Sequence, residues 1–413
     1  MNTVFDTREM EPAESRNRYL VAALRQQLAN AKDNSSYWSE ILAGVEPDDF
    51  VALEDIARLP VLRKSELIDL QALGHLGGLA TEKNTVSKRI FFSPGPLVEP
   101  EPVAGSDPWR MAPALFASDF GPDDIVANCF SYHVTPAGVM FDAAAQKIGC
   151  TVFPAGVQNV DMLVEAFHRL EISAYVGTPD FLKIILEKAD GLGRPITAIQ
   201  KAMVSGGPLF PDAKSFYEDR GIVVRQSYGT AELGLIAFET DVAAEGMIIA
   251  EDCIVEIVRP GSDEPVGDGE IGEVVVTTFD PFYPLIRFGT GDLSTIIHEG
   301  SFCGRTNRRL KGWLGRADQT AKVKGMFVHP RQVENVVKRM PGVLKARIQV
   351  EMRNGRDIMT FLCEHEEQSD HLVPEISEIV KAECRVRGDV VIVAPNSLPN
   401  DGKVIDDQRV AGI

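Results

Sequence analysis

Four stretches of the chain carry residues whose types and spacing suit nucleotide chemistry. In "QSYGTAELG", Gln226–Gly234, Gly229 allows close backbone approach, Thr230 offers a hydroxyl and an N–H, and Glu232 a carboxylate. The ring of Tyr228 is able to cover a flat heterocycle. Hydroxyl to phosphate, carboxylate to Mg²⁺ and aromatic face to base is a workable set. The same residues read equally well as a polar strand-to-helix turn with Glu232 near a helix N-terminus. In "PLIRFGTGDLS", Pro284–Ser294, Asp292 follows two glycines and suits a diol such as ribose, or else a hairpin turn. "GRADQTAKVKGMFVHPRQVE", Gly315–Glu334, holds Arg316, Asp318, Lys324 and Gly325, and "LPNDGKV" holds Lys403 in a turn-rich loop.

These residues need elements to hold them. From Gly121 onward apolar strands alternate with helices: "DDIVANCF", "CTVFPAG", "ISAYVG", "KAMVSGG" and "IVVRQSYG" read as strands, each followed or preceded by an amphipathic helix. This order predicts a parallel, helix-covered sheet in an α/β fold. Ligands of such sheets sit beyond the carboxyl ends of the strands, here Phe130–His133, Gly177–Pro179, Ser205–Pro208 and Ser227–Glu232. From about Met247 "CIVEIV", "GEIGEVVVTT", "LIRF" and "LSTII" predict an antiparallel, barrel-like subdomain over 247–300. A smaller α+β pattern follows. The expected domains are 1–315 and 316–413, with a boundary near Gly315–Asp318.

Composition narrows the classes. With 413 residues, 44% apolar and 25% charged, the chain reads as a soluble globular enzyme. A formal charge of −18 disfavours nucleic acid and anionic membrane as partners. No apolar run is long enough to span a bilayer, and the N-terminus lacks signal-peptide order. Six scattered cysteines without a CxxC pair suit a reducing cytoplasm.

Taken in order, "YGTAE … GTGD … GRADQTAKVKG … NDGK" resembles the adenylate-forming superfamily of acyl-CoA ligases. "LPVLRKSEL" at Leu59–Leu67, "YVGTPDFL" at Tyr175–Leu182 and "CGRTNRRLKGWLGRADQ" at Cys303–Gln319 narrow it to the phenylacetate–CoA ligase-like branch. The resemblance implies a large N-terminal domain and a small, mobile C-terminal lid. It implies ATP-dependent activation of a carboxylic acid through an acyl-adenylate, then transfer to coenzyme A, with Mg²⁺ as cofactor. By matching motif, Ser205, Gly206, Gly207 and Pro208 line the adenine, Tyr228 flanks the base, Gly229 belongs to the nucleotide-binding residues, and Thr230 holds the α-phosphate. Glu232 binds Mg²⁺, Asp292 and Arg316 hold the ribose, and Asp318 is the hinge. Lys403 reaches the acyl carboxylate, and Lys324 and Gly325 face the coenzyme A tunnel. Phe130, Tyr132 and His133 are the expected acyl-pocket wall, or else a core aromatic pair and a surface histidine. An aryl or arylacetic acid is the expected substrate class and a homodimer the expected assembly.

Two departures qualify the resemblance. Some relatives carry a zinc site; here Thr240, Ile248 and Ser301 stand at three of its ligand positions and only Cys303 remains, so no zinc is expected. The family's phosphate loop corresponds to "FFSPGPLVEPE", Phe91–Glu101. Ser93 and Gly95 remain to contact phosphate. Pro94 and Pro96 lack N–H donors, no lysine follows, and Glu99 and Glu101 add negative charge. The expectation is a weakened hold on triphosphate beside an intact AMP half, relieved by restoring a Ser/Thr/Gly loop. Transfer to an amine or a carrier-protein thiol, and non-catalytic sensing of AMP-like ligands, remain the alternatives.

Overall fold

The computed structural model describes residues 4–81, 87–93, 96–103, 105–240, 246–297, 303–314, 316–317, 321–328, 330–367, 369–399 and 403–409. The chain divides into two compact units, Met1–Leu314 and Gly315–Ala411.

The first unit is built on a nine-stranded sheet. Five of its strands are parallel, in the order Thr151–Phe153, Ile125–Asn128, Ala174–Gly177, Lys201–Val204 and Val223–Thr230. The helices Ala137–Lys147, Val160–Arg169, Pro179–Gly191 and Pro211–Glu218 connect them. Local chemistry sets these helices. The Asn159 side chain accepts from the N–H groups of Asp161 and Met162, and Pro179 and Pro211 open their helices where no N–H is needed. Leu163, Val164 and Phe167 then fall on one face and are buried against the sheet. All four residues of Ala174–Gly177 are buried, as a central parallel strand covered on both faces requires. Large apolar side chains such as Leu163, Val164 and Phe167 each contribute about 1.5–3 kcal/mol by leaving water.

Beyond Val223–Thr230 the sheet turns antiparallel. Gly234–Phe238, Met247–Ile249, Arg309–Leu310 and Ile296–Ile297 extend it in that order. A second, four-stranded sheet holds Leu62–Arg63, Phe288–Ser294, Gly272–Thr278 and Cys253–Val258. The strands expected to form one barrel-like subdomain are therefore shared between two open sheets. "LIRF" is not a strand of its own: the strand starts at Phe288 and runs through Gly289–Asp292, which the hairpin-turn alternative placed in a turn. A hairpin, Ile90–Ser93 paired with Leu97–Pro100, lies at the phosphate-loop position.

In the second unit, long antiparallel strands Val343–Arg353 and Arg356–His365 are flanked by the parallel strands Asp389–Val393 and Ile405–Asp407. Helices Pro330–Arg339 and Val373–Cys384 pack against them. The strand Ile405–Asp407 follows directly on the turn-rich loop that carries Lys403. Five of the six cysteines are buried and all are free; burial pushes the Cys129, Cys253 and Cys384 thiols up to about 12. Among the described residues no helix is long and apolar enough to cross a membrane.

Candidate active site

The "YGTAELG" stretch is a tight connection between antiparallel strands, not a strand-to-helix turn: Thr230 pairs with Gly234 across it. Two glycines make this possible. A Cβ on Gly229 would lie 2.6 Å from the Gly234 carbonyl oxygen, and one on Gly234, whose φ is +71°, would lie 2.4 Å from that of Trp109. Trp109 and Arg110 grip the connection from behind. Trp109 Nε1 donates to the Ala231 carbonyl at 3.1 Å, Leu235 N–H donates to the Trp109 carbonyl at 2.9 Å, and Arg110 donates to the Leu233 carbonyl. Thr230 Oγ1 accepts from Leu233 N–H at 3.2 Å.

Two clusters meet this connection. In the first, Tyr228 OH donates to Asp292 Oδ2 at 2.9 Å, and Trp313 Nε1 donates to Asp292 Oδ1 at 3.2 Å. Asp292 is held in turn by its neighbours. Its N–H donates to Thr290 Oγ1, and the preceding Gly291 N–H donates to Glu273 Oε1. Beside it, Ser205 Oγ donates to the Ser227 carbonyl at 2.8 Å, which joins the 205–208 loop to the same strand end; Gly206 there has φ +71°. Trp313 was not singled out from the sequence; its indole N–H on a buried carboxylate is a tertiary fact.

The second cluster is acidic and buried. Glu232 forms an ion pair with Lys64, Nζ to Oε1 2.6 Å, with 2% of the Glu232 side chain exposed against 35% of Lys64. Burial works against ionising Glu232, but Lys64 and the Thr230 hydroxyl outweigh it and hold its carboxyl below the usual range. Ser93 donates its hydroxyl to Glu99 Oε2. Glu99 Oε1 is buried with no hydrogen-bond partner among the described residues. Burial, and next the nearby Glu232, push the Glu99 carboxyl up to about 8, against the pull of Ser93 and Lys64.

The phosphate-loop acids therefore behave differently from the expectation that both add negative charge. Glu101 is buried in an ion pair with Arg89 at 2.8 Å, and Glu99 is pushed towards its neutral form. Ser93 spends its hydroxyl on Glu99, and Gly95 lies outside the described residues. The Glu232 carboxylate and the Thr230 hydroxyl are hard oxygen donors of the kind a divalent cation such as Mg²⁺ takes, whereas a protonated Glu99 is not. The Lys64 ammonium sits on the same Glu232 carboxylate.

At the expected acyl wall, Phe130 is buried and stacks on Phe141, ring centroids 4.9 Å apart. Tyr132 OH donates to Asp142 Oδ1 at 3.0 Å, and His133 is exposed. The 131–134 loop touches the phosphate-loop hairpin, through Phe92 N–H to the Val134 carbonyl at 2.8 Å. Cys303 Sγ accepts from Thr240 Oγ1 at 3.3 Å and Arg309 Nη2 at 3.5 Å.

The remaining site candidates belong to the second unit. Lys324 and Gly325, both with positive φ, form the turn between Ala321–Val323 and Met326–Val328, and Lys324 N–H donates to Asp357. Lys403 is exposed with Nζ 3.3 Å from Asp406 Oδ1. Arg316 is half-buried, and Asp318 lies outside the described residues.

Comparison with known proteins bears on the family and the fold. The AMP-binding enzyme family matches residues 109–279 and the AMP-binding enzyme C-terminal domain matches residues 325–410, together more than half of the chain. Phenylacetate-coenzyme A ligase of Thermus thermophilus is 28% identical over 340 residues, covering 78% of this chain and 75% of that one. The Escherichia coli phenylacetate-coenzyme A ligase is 27% identical over 397 residues, covering 90% and 89%. In fold the chain is similar to 2-hydroxyisobutyryl-CoA ligase in complex with 2-HIB-AMP and CoA, with a TM-score of 0.84 at 23% identity, covering 99% of this chain and 93% of that one. With the adenylate-forming fold matched from end to end and both family domains found in order, the chain belongs to the AMP-binding enzymes, as a member of their AMP-forming acyl-CoA ligase family.

Proposed function

We propose that this enzyme activates a small carboxylic acid, of aryl or arylacetic type, with ATP and passes the acyl group to coenzyme A. The observation that carries the reading is the Tyr228–Asp292–Trp313 cluster set beside the Thr230–Glu232 connection, at the carboxyl end of a parallel sheet. That is where a nucleotide's ribose and α-phosphate are expected in such sheets. Asp292 accepts the ribose hydroxyls, Thr230 binds the α-phosphate, and Tyr228 and the 205–208 loop border the base. A carboxylate oxygen attacks the α-phosphorus, and the bond to the bridging oxygen breaks with release of pyrophosphate. The thiolate then attacks the acyl carbon, and AMP leaves with the bonding electrons. Glu232 and Thr230 would hold Mg²⁺, which supplies charge neutralisation at phosphate oxygens. Lys403 serves the same end from the second unit, with Asp318 as the hinge residue and Lys324 and Gly325 on the coenzyme A side. The preference for an aryl group rests on the similarity to phenylacetate-coenzyme A ligases.

The test is purified protein with ATP, Mg²⁺, a panel of acids and coenzyme A, followed by pyrophosphate and thioester release. Release with an arylacetic acid is the expected result. Absence of turnover with every acid, together with absence of AMP binding by calorimetry, refutes it. One observation favours a second reading, an AMP-binding protein without adenylation: Ser93 is engaged by Glu99, and two prolines stand in its loop. AMP binding without pyrophosphate release on any acid selects that reading.

A further inference from the structure

We propose that the first unit holds a second ligand site, apart from the nucleotide site, which takes a small carboxylate with an aromatic or branched apolar body. A cavity of about 210 Å³ lies between the N-terminal turn Thr7–Met10 and the strand end at 248–252. Neither Thr230, Glu232 and Asp292 nor residues 130–133 and 205–208 line it. Its apolar wall is Phe5, Pro113, Phe238 and Ile249. An apolar cavity of about 150 Å³ holds benzene, so this one has room for a ring and a short acid arm. The proposal does not rest on adenylation: a chain that forms no adenylate can hold the acid here.

The charges around the cavity decide the sign of its ligand. Every acid that lines it is engaged. Asp6 and Asp252 hold Arg8, Glu9 holds Arg305, and Glu251 holds Arg16. Asp107 spends one oxygen on the Met111 N–H at 3.1 Å and the other on the Ala112 N–H at 2.7 Å. Burial pushes the Asp107 carboxyl up, which weakens it as a counter-charge. The two cations beside it are not balanced in this way. Arg110 donates to the Asp252 and Leu233 carbonyls and to no carboxylate, and a guanidinium has donors to spare beyond these two. Lys147 ends the helix Ala137–Lys147 and forms no ion pair among the described residues. Arg110 is also aimed by its backbone. Its φ is +61°, and its N–H closes a turn onto the Asp107 carbonyl at 3.0 Å. A non-glycine residue in that region is strained, and here the strain sets the guanidinium between the cavity and the 231–234 connection. Lys147 and Ser106 are exposed and mark the mouth. An acid that enters thus meets uncompensated positive charge, with aromatic and aliphatic wall for the rest of the molecule.

Fluorine NMR of para-fluorophenylacetate with the full chain tests this. The wild type is expected to bind one equivalent more than K147E or S106E, each of which puts negative charge at the mouth from an exposed position. K147Q should weaken that equivalent roughly tenfold, the worth of one charge-assisted contact, and K147R should keep it. The amine of like shape, para-fluorobenzylamine, should not bind there. Equal stoichiometry in the wild type and both charge variants places any bound acid elsewhere and overturns the proposal. Amine binding as tight as that of the acid, lost in the same variants, removes the argument from charge and overturns it as well. Should K147E or S106E unfold, the wild type answers alone. The acid is then expected to protect Lys147 from amine acetylation read by mass spectrometry, and lack of protection overturns the proposal.

Discussion

Glu99→Gln is expected to stabilise the first unit, and to do so only above a definite pH. In the unfolded chain a glutamate ionises at about 4.3. In the fold Glu99 keeps its proton until about 8, because burial and the adjacent Glu232 oppose its charge. The folded state thus binds the extra proton, and stability falls as pH rises from about 4.3 to about 8. Over that window the wild type forgoes about 1 kcal/mol at pH 5 and about 3–4 kcal/mol at pH 7. Glutamine has the same shape, accepts from Ser93 as glutamate does, and carries no ionisation to suppress. E99Q should therefore gain little at pH 5 and up to about 3 kcal/mol at pH 7. Urea unfolding followed by tryptophan fluorescence reads this well, since Trp38, Trp109 and Trp313 all lie in the first unit. A variant less stable than wild type at pH 7, or a difference that does not change between pH 5 and 7, refutes the argument.

Three further outcomes follow from single contacts. G234A places a Cβ against the Trp109 carbonyl at a φ of +71°, so it should cost about 1–3 kcal/mol in urea unfolding and weaken AMP binding in calorimetry. Arg287 is fully buried, bidentate to Glu256 and bonded to the Leu59 and Asp263 carbonyls, so R287M should cost about 3–5 kcal/mol, with R287M/E256L recovering part of it in the same unfolding assay. K403A should slow acyl-adenylate formation by about 10²–10³-fold with AMP affinity retained, read by pyrophosphate release and calorimetry.

The parallel half of the fold was legible because its three central strands are buried almost throughout and read as unbroken apolar runs such as "AYVG". The antiparallel half was less so. Gly289–Asp292 has turn composition, yet it runs as a strand, because Glu273 sits where a Cβ on Gly289 would go and takes the Gly291 N–H. At the site, Tyr228, Thr230, Glu232 and Asp292 stand in short motifs and were visible. Lys64 lies in "LPVLRKSEL", which marked the family but gave no role, since its partner Glu232 is 168 residues away. Trp109, Arg110 and Trp313 act through hydrogen bonds to distant carbonyl and carboxylate oxygens, and no spacing rule predicts those. Glu99 looked like added negative charge; burial reverses that inference, and burial is not written in the loop's own residues.

The grip of Trp109 and Arg110 on the 231–234 connection bears on how the site comes into being during folding. Trp109 meets Ala231 across 122 residues, Arg110 meets Leu233 across 123, and Tyr228 meets Asp292 across 64. Contacts this remote form only after long loops have closed, so they belong to the late, high-contact-order part of folding. The nucleotide site then has no local precursor: a nascent chain that ends before Asp292 has neither its carboxylate nor the Trp313 indole. Nucleotide binding becomes a selective ligand for the completed unit, and AMP in excess should slow its unfolding and protect it from proteolysis in proportion to occupancy.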